Sequence, residues 1–355
     1  MSTTAEKYEA TRSEIREIRS RIEELQGDDD VNVIGDSPGK KSTLPLLKTR
    51  RVLRGHFGKV YHAAWSPNSS KLLSASQDGK LILWDAKTTN KHQVIALRSA
   101  WVMAVGVSSG SRLGASGGLD NVVSIHGLSD QPTAEVNSTP KAELIGHEGY
   151  VSCVRFVDGS SRILSASGDS TVKLWDTQTE KMLTSYGDHT ADVMCVAPQD
   201  VNASPALFAT ASVDSTVRVF DARLSSGREG SRAVARFVGH ESDVNAVSWM
   251  PESDSLGSCS DDSTCSLFDM RSRRRIAQFI DERLLCGVTS VDFTRSGKFL
   301  VAGYDDYEAR IWDVSTTGLV QSLRGHEDRI SQVAVSYDGG AIATASWDFQ
   351  IRIWA

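Results

Sequence analysis

Seven times in this chain an aspartate stands six residues before a bulky ring. The pairs are Asp78/Trp84, Asp120/His126, Asp169/Trp175, Asp214/Phe220, Asp262/Phe268, Asp306/Trp312 and Asp348/Trp354. Successive rings lie 42 to 49 residues apart. A period in this range with a Trp-Asp signature marks one four-stranded propeller blade per repeat. At the ring positions Trp-Asp occurs at 84–85, 175–176 and 312–313, and Phe-Asp at 220–221 and 268–269. A Gly-His pair ends at His56, His147, His240 and His326, and Gly187-Asp188-His189 is a looser copy; repeats two and six lack it. The expected fold is all-β, a closed seven-bladed WD-repeat propeller over residues 48–355.

Each repeat reads as four short strands. The first has segments near Val60–Trp65, Lys71–Ser76, Leu81–Asp85 and Gln93–Leu97, with Ser66-Pro67-Asn68 and Asp78-Gly79 as turns. The last repeat ends at its third strand, on Trp354. Thr49–Leu53, ahead of the first Gly-His, is the expected fourth strand, so that the two ends of the domain close the ring in one blade and hide its edges.

Ahead of the repeats, residues 1–27 carry a heptad seam at Tyr8, Thr11, Ile15, Ile18, Ile22 and Leu25, flanked by charges of both signs. So narrow an apolar stripe is a coiled-coil seam rather than a core face. Residues 28–47 begin with three acids and hold glycines and a proline, and read as a helix stop and linker. A helix of about 22 residues gains little alone in water, so the seam predicts a second helical chain.

Net charge is −6, with no basic field for a phosphate backbone, which argues against nucleic-acid binding. The five cysteines include no C-x-x-C pair and suit thiols in a reducing cytosol. No signal peptide, lipidation signal or membrane-length apolar run is legible, so any membrane association is expected to be indirect, through lipidated partners. No cofactor and no metal is expected. Gly35–Ser42 only faintly resembles a phosphate-binding loop: the spacing is wrong and no strand precedes it.

The repeated His, Ser, Asp and Trp contain the residue types of a hydrolytic triad. Catalysis needs one such constellation, whereas this one recurs in most blades. The expected role is structural: His56, Ser76 or Ser74, Asp78 and Trp84 in blade 1, and His147, Asp169 and Trp175 in blade 3, satisfy one another's polar groups. Where Phe220 and Phe268 replace Trp the network must be smaller.

Binding residues are then sought on a face. In a four-strand meander the segment leading into the first strand and the turn between the second and third emerge together. That rim holds Phe57, Lys59, Tyr61, Lys80, Trp101, Met103, Leu119, Asn121, Tyr150, Asp192, Met194, Asp243, Asn245, Asp261, Asp305, Arg329 and Trp347. Aromatics and methionines ringed by both signs of charge fit a protein-binding hot spot. Arg275 is expected on a loop at the opposite side.

The whole chain resembles the heterotrimeric G-protein β subunit. The resemblance rests on R-R-V-L-R-G-H (50–56), S-A-S-Q-D-G-K-L-I-L-W-D (74–85), W-V-M (101–103), G-G-L-D-N (117–121), G-H-E-S-D-V-N (239–245), C-G-V-T-S-V (286–291), D-F-T-R-S-G-K-F-L-V-A-G-Y-D-D (292–306) and S-W-D (346–348). It implies an N-terminal coiled coil with a small γ subunit, through Ile15, Ile18, Ile22 and Leu25. It also implies a propeller face that binds the GDP-bound α subunit and, once released, effectors of receptor-coupled signalling. By the resemblance that face comprises the rim residues above, apart from Asp305 and Arg329, together with Lys91 on the flank of blade 1. Glu148 stands where the family usually has a small Thr, adding negative charge beside this face. The implied location is cytoplasmic and peripheral at the plasma membrane. The competing reading is a stand-alone WD-repeat scaffold, which has no need of the seam.

Each large apolar side chain of the seam is worth ~1.5–3 kcal/mol when fully buried. Ile18→Asp combined with Ile22→Asp should therefore abolish co-purification with a small helical chain. Wild-type recovery of that chain with the double mutant would refute the seam.

Overall fold

The computed structural model describes residues 46–129, 131–132, 136–137, 139–199, 207–224, 232–281 and 283–355. The heptad seam and the linker up to residue 45 lie outside them.

The described residues form seven antiparallel sheets, one per repeat. The first is the meander Val60–Trp65, Lys71–Ser76, Lys80–Asp85 and Lys91–Ala96, extended by a short parallel pairing with Val136–Asn137. The innermost strand of each blade packs on that of the next all the way round, and Ile330–Val335 returns to Val60–Trp65. Middle strands are sealed between blades: all six residues of Ser255–Ser260 and of Phe299–Tyr304 are buried.

Closure is as expected. Thr49–Arg54 runs antiparallel to Gln350–Trp354 as the outer strand of the last blade, with Leu53 opposite Ile351. Leu47 is also buried, in a cluster with Phe299, Ile311 and Trp354, and its amide and carbonyl are both held by the Gln321 side chain.

Every inner strand carries an extra residue near its start. Val60 faces Ser76 and His62 faces Ala75, so Tyr61 is unmatched. The same register shift isolates Met103, Ser152, Met194, Asn245, Thr289 and Ser331. Such bulges re-aim a side chain at the end of a strand. The polar ones staple neighbouring blades: Asn245 donates to Val288 O at 2.8 Å, Thr289 to Ile330 O at 2.6 Å, Ser331 to Val60 O at 2.6 Å, and Ser152 to Val193 O. Tyr61, Met103 and Met194 cannot do this and stand at the rim.

Inside blade 3, His147 Nδ1 lies 2.7 Å from Asp169, its Nε2 2.7 Å from Ser165 Oγ, and the Trp175 indole donates to that hydroxyl at 2.8 Å. Blade 1 repeats this through His56, Asp78, Trp84 and Ser74. Ser74 is thus the partner; Ser76, two residues further along the same face of the strand, instead donates to Gly58 O. In blades 4 and 5 the histidine keeps its Asp and hydroxyl partners, and Phe220 and Phe268 contribute no donor. Arg275 requires a correction. It lies on the outer strand Arg274–Phe279 and donates to Gly239 O at 3.0 Å, so it marks the flank of blade 5 rather than the opposite side.

Burial by itself would raise the carboxyls of Asp169, Asp214 and Asp262. Hydrogen bonds from the histidine and from a nearby Thr hydroxyl overcome it and hold all three well below the usual carboxylate range. A depressed folded pKa contributes stability above the unfolded value, which is lost as pH falls through the folded one. Melting temperature should therefore fall most steeply below about pH 4, and Asp169→Asn combined with Asp262→Asn should flatten that acid limb. At neutral pH, Asp169→Ala strands His147 at a cost of about 1–3 kcal/mol. A lower melting temperature is expected, with partner binding kept by the folded fraction. Unchanged stability with lost binding would make Asp169 a surface contact.

Candidate protein-binding face

The rim is built from three kinds of position in each blade: the segment after the Gly-His, the bulged residue and the turn after the second strand. Backbone bonds tie the first to the third, as where Gln77 N–H donates to Lys59 O and Trp347 N–H to Arg329 O. Asp78 reaches across the same gap and accepts the Phe57 amide at 3.0 Å. The residue after each repeated Asp is left-handed in all seven blades, with φ of 62° at Asn121, 71° at Gly79, 72° at Tyr307 and 68° at Phe349. The Asp carboxylate holds it there by accepting the next amide, as Asp348 does from Gln350 at 3.0 Å.

None of the expected contact residues is buried. Phe57 is 80% exposed, Leu119 50% and Trp101 43%. The Tyr61 ring joins two of the rim tryptophans, with centroids 6.4 Å from Trp101 and 6.0 Å from Trp347. Trp347 is half-buried, with Lys59 Nζ 3.7 Å and the Arg329 guanidinium 5.0 Å from its ring centroid. This cation–π arrangement fixes the indole face and holds two positive charges beside it. Lys80 Nζ approaches the Phe57 ring at 5.7 Å. Aromatic and basic groups therefore gather over blades 7, 1 and 2.

Acids gather on the other side. Tyr150 donates its hydroxyl to Asp192 at 2.8 Å and touches Met194 Sδ at 3.6 Å. Burial, then the bond to Asp192, pushes the Tyr150 phenol well up, so it remains a donor. Asn245 donates to Asp261 at 2.6 Å, and Arg329 Nε lies 2.7 Å from Asp305. Met103, Asn121 and Asp243 are partly exposed on the same rim, and Glu148 is exposed beside it. Lys91 stands apart, on the outer strand of blade 1, donating to Gly55 O at 3.2 Å. Ile15, Ile18, Ile22 and Leu25 fall outside the described residues.

Two rim aromatics escape sequence reasoning. Tyr307 and Phe349 are 46% and 45% exposed on the turns after Asp306 and Asp348. Their signal was position: each follows a repeated Asp, where the other blades carry Gly, Asn or Ser.

The central channel holds one cluster that does not repeat. A cavity of about 1170 Å³ at the far ends of the inner strands is lined by His62, Arg155, Ser248, Asp292 and Tyr337, among others. Asp292 accepts the Val335 amide at 2.8 Å, the Phe293 amide at 2.9 Å and the Ser248 hydroxyl at 3.1 Å. Its lone pairs are thus spent joining blades. Burial, then the charge of Arg155, keeps the His62 ring neutral. All five cysteines are unpaired; four are buried and Cys286 is partly exposed. No group of three or more His, Cys, Asp or Glu among the described residues could hold a metal ion. No described helix is long and apolar enough to cross a membrane.

A family model described as G protein beta WD-40 repeat protein matches residues 8–355. The chain is 38% identical to a guanine nucleotide-binding protein subunit beta of Zea mays, over 99% of this chain and 96% of that one. It is 37% identical to a subunit beta-1 of Nicotiana tabacum, over the same shares. An Arabidopsis thaliana subunit beta is 40% identical over 86% of this chain and 82% of its own. With the match running through all seven blades, the chain belongs to the G protein beta WD-40 repeat family.

Proposed function

We propose that this protein is the β subunit of a heterotrimeric guanine nucleotide-binding protein and transduces a receptor signal without catalysis of its own. The observation that carries the reading is the aromatic cluster of Tyr61, Trp101 and Trp347, partly exposed at the rim of a chain that matches the family from end to end. Its repeated polar side chains are committed to holding blades together. A GDP-bound α subunit covers the rim, with the aromatic cluster as its apolar centre and the acids of blades 4–6 as its polar edge. Nucleotide exchange on α uncovers the same residues for effectors, so the two partners exclude each other by sharing one surface. The seam at Ile15, Ile18, Ile22 and Leu25 takes the γ subunit, whose lipid places the dimer at the inner face of the plasma membrane.

Trp101 tests the face apart from the fold, because it lies outside the repeated ring positions. Truncating a central aromatic hot spot costs at least ~2 kcal/mol, or about thirty-fold in affinity. Trp101→Ala should weaken binding to GDP-loaded α subunit by that order in titration calorimetry, with the melting curve and γ association near wild type. Arg271→Ala is the control, since Arg271 lines the mouth of the channel at the far end of the inner strands. Equal affinities of Trp101→Ala and wild type in folded protein would exclude this face.

A further inference from the structure

Blade 2 lacks the histidine that in four other blades stands 22 residues before the repeated Asp and donates to it. Arg98 occupies that position in the sequence, but its side chain is 79% exposed and pairs with Glu143 at 3.1 Å. Blade 6 also lacks the histidine, and there Arg310 reaches Asp306 with two bonds, at 2.9 and 2.6 Å. The matching residue of blade 2 is Ser124, too short to do so. Asp120 is left with a weak bond from the Val122 amide at 3.4 Å, and it is exposed where the aspartates that hold a histidine have side chains only 5–10% exposed.

Where those blades hold the imidazole, blade 2 has a cavity of about 250 Å³. That exceeds the ~150 Å³ that accommodates a benzene ring. Asp120, Ser116, His126 and Trp101 line it, and the Arg98–Glu143 pair borders it. His126 is 2% exposed, and its Nε2 lies 3.1 Å from Ser116 Oγ. Its Nδ1 is buried with no hydrogen-bond partner. Burial pushes this ring down to about 4, so it is neutral and its Nδ1 offers one donor or one acceptor. A buried polar atom without a partner calls for one, and His126 is among the residues that line the cavity.

We propose that this cavity is a ligand pocket for a planar N–H-donating group, an imidazole or a guanidine, bonded to Asp120 and to His126 Nδ1. Such a group restores in trans the bond that His147 makes to Asp169 within its own blade. The pocket opens beside Trp101, so the group comes either from a free small molecule or from an Arg or His side chain of whatever protein sits on the rim.

The test titrates the full-length protein, with any subunit it carries, against imidazole and methylguanidine. Melting temperature and the His126 ring resonances are the readouts. Both probes should bind saturably, with dissociation constants on the order of 1–10 mM, well within what so few atoms can supply. 1,3-Dimethylimidazolium, which has the shape and charge but no N–H, should not bind. Asp120→Asn should weaken imidazole at least tenfold. His126→Phe, a ring that blades 4 and 5 already carry, should remove the His126 signal and weaken binding similarly. Loss of imidazole binding when the rim is covered by a partner identifies a partner side chain as the source, and retained binding identifies a free ligand. Absence of saturable binding, an equal response to 1,3-dimethylimidazolium, or unchanged affinity in Asp120→Asn overturns the proposal. So does binding that appears only in Arg98→Ala, because Arg98 then fills the place itself.

Discussion

The pairing of Thr49–Arg54 with Gln350–Trp354 is the constraint on which everything else rests. A single blade cannot bury its own faces; each is sealed by its neighbours, and stability accumulates only as they stack. Without the closing strand, the last blade would present an unpaired edge and the ring could open between its ends. Lys48 and Ala355 exchange backbone bonds at 3.4 and 3.2 Å beside that pairing, so the seam is held to the last residue. The rim inherits this dependence. Tyr61 meets Trp347 from the opposite end of the domain only because the ring is closed.

Within that frame, repetition and exception divide the labour. Residues that recur, such as His147, Asp169 and Ser165, are buried or nearly so and satisfy one another. A polar network in a low-dielectric interior is stabilising when complete and costly when broken. Residues that break the pattern come to the surface or leave a gap. Trp101 stands where a Gly-His segment is missing, and the same omission leaves the cavity beside Asp120. The bulges show the same division: polar side chains tie one blade to the next, and Tyr61, Met103 and Met194 remain for contact.

The blade count, the closing strand and the histidine–aspartate pairs were legible because each recurs at a fixed interval, and noise in one copy is corrected by six others. The rim was legible for a related reason: a meander returns the same two connections to the same side every time. What repeats loosely was harder to read. The choice between Ser74 and Ser76 turned on where along one strand face the histidine ring lands, because residues two apart share a face and the pattern alone does not tell them apart. Arg275 was misplaced because the boundary between a turn and an outer strand leaves little trace in a solvent-facing sequence.

The sequence by itself determined the architecture and the family, since a period, a signature and long matching segments need no coordinates. Only the tertiary structure showed that each inner strand holds an extra residue, because a bulge is a mismatch between two strands and is written in neither alone. It also settled that Trp347 is clasped by Lys59 and Arg329 from separate blades, that Tyr307 and Phe349 are aromatics on left-handed turns, and that Arg98 pairs with Glu143. Each of these depends on distances between residues far apart in the chain, and those distances exist only once the ring has closed.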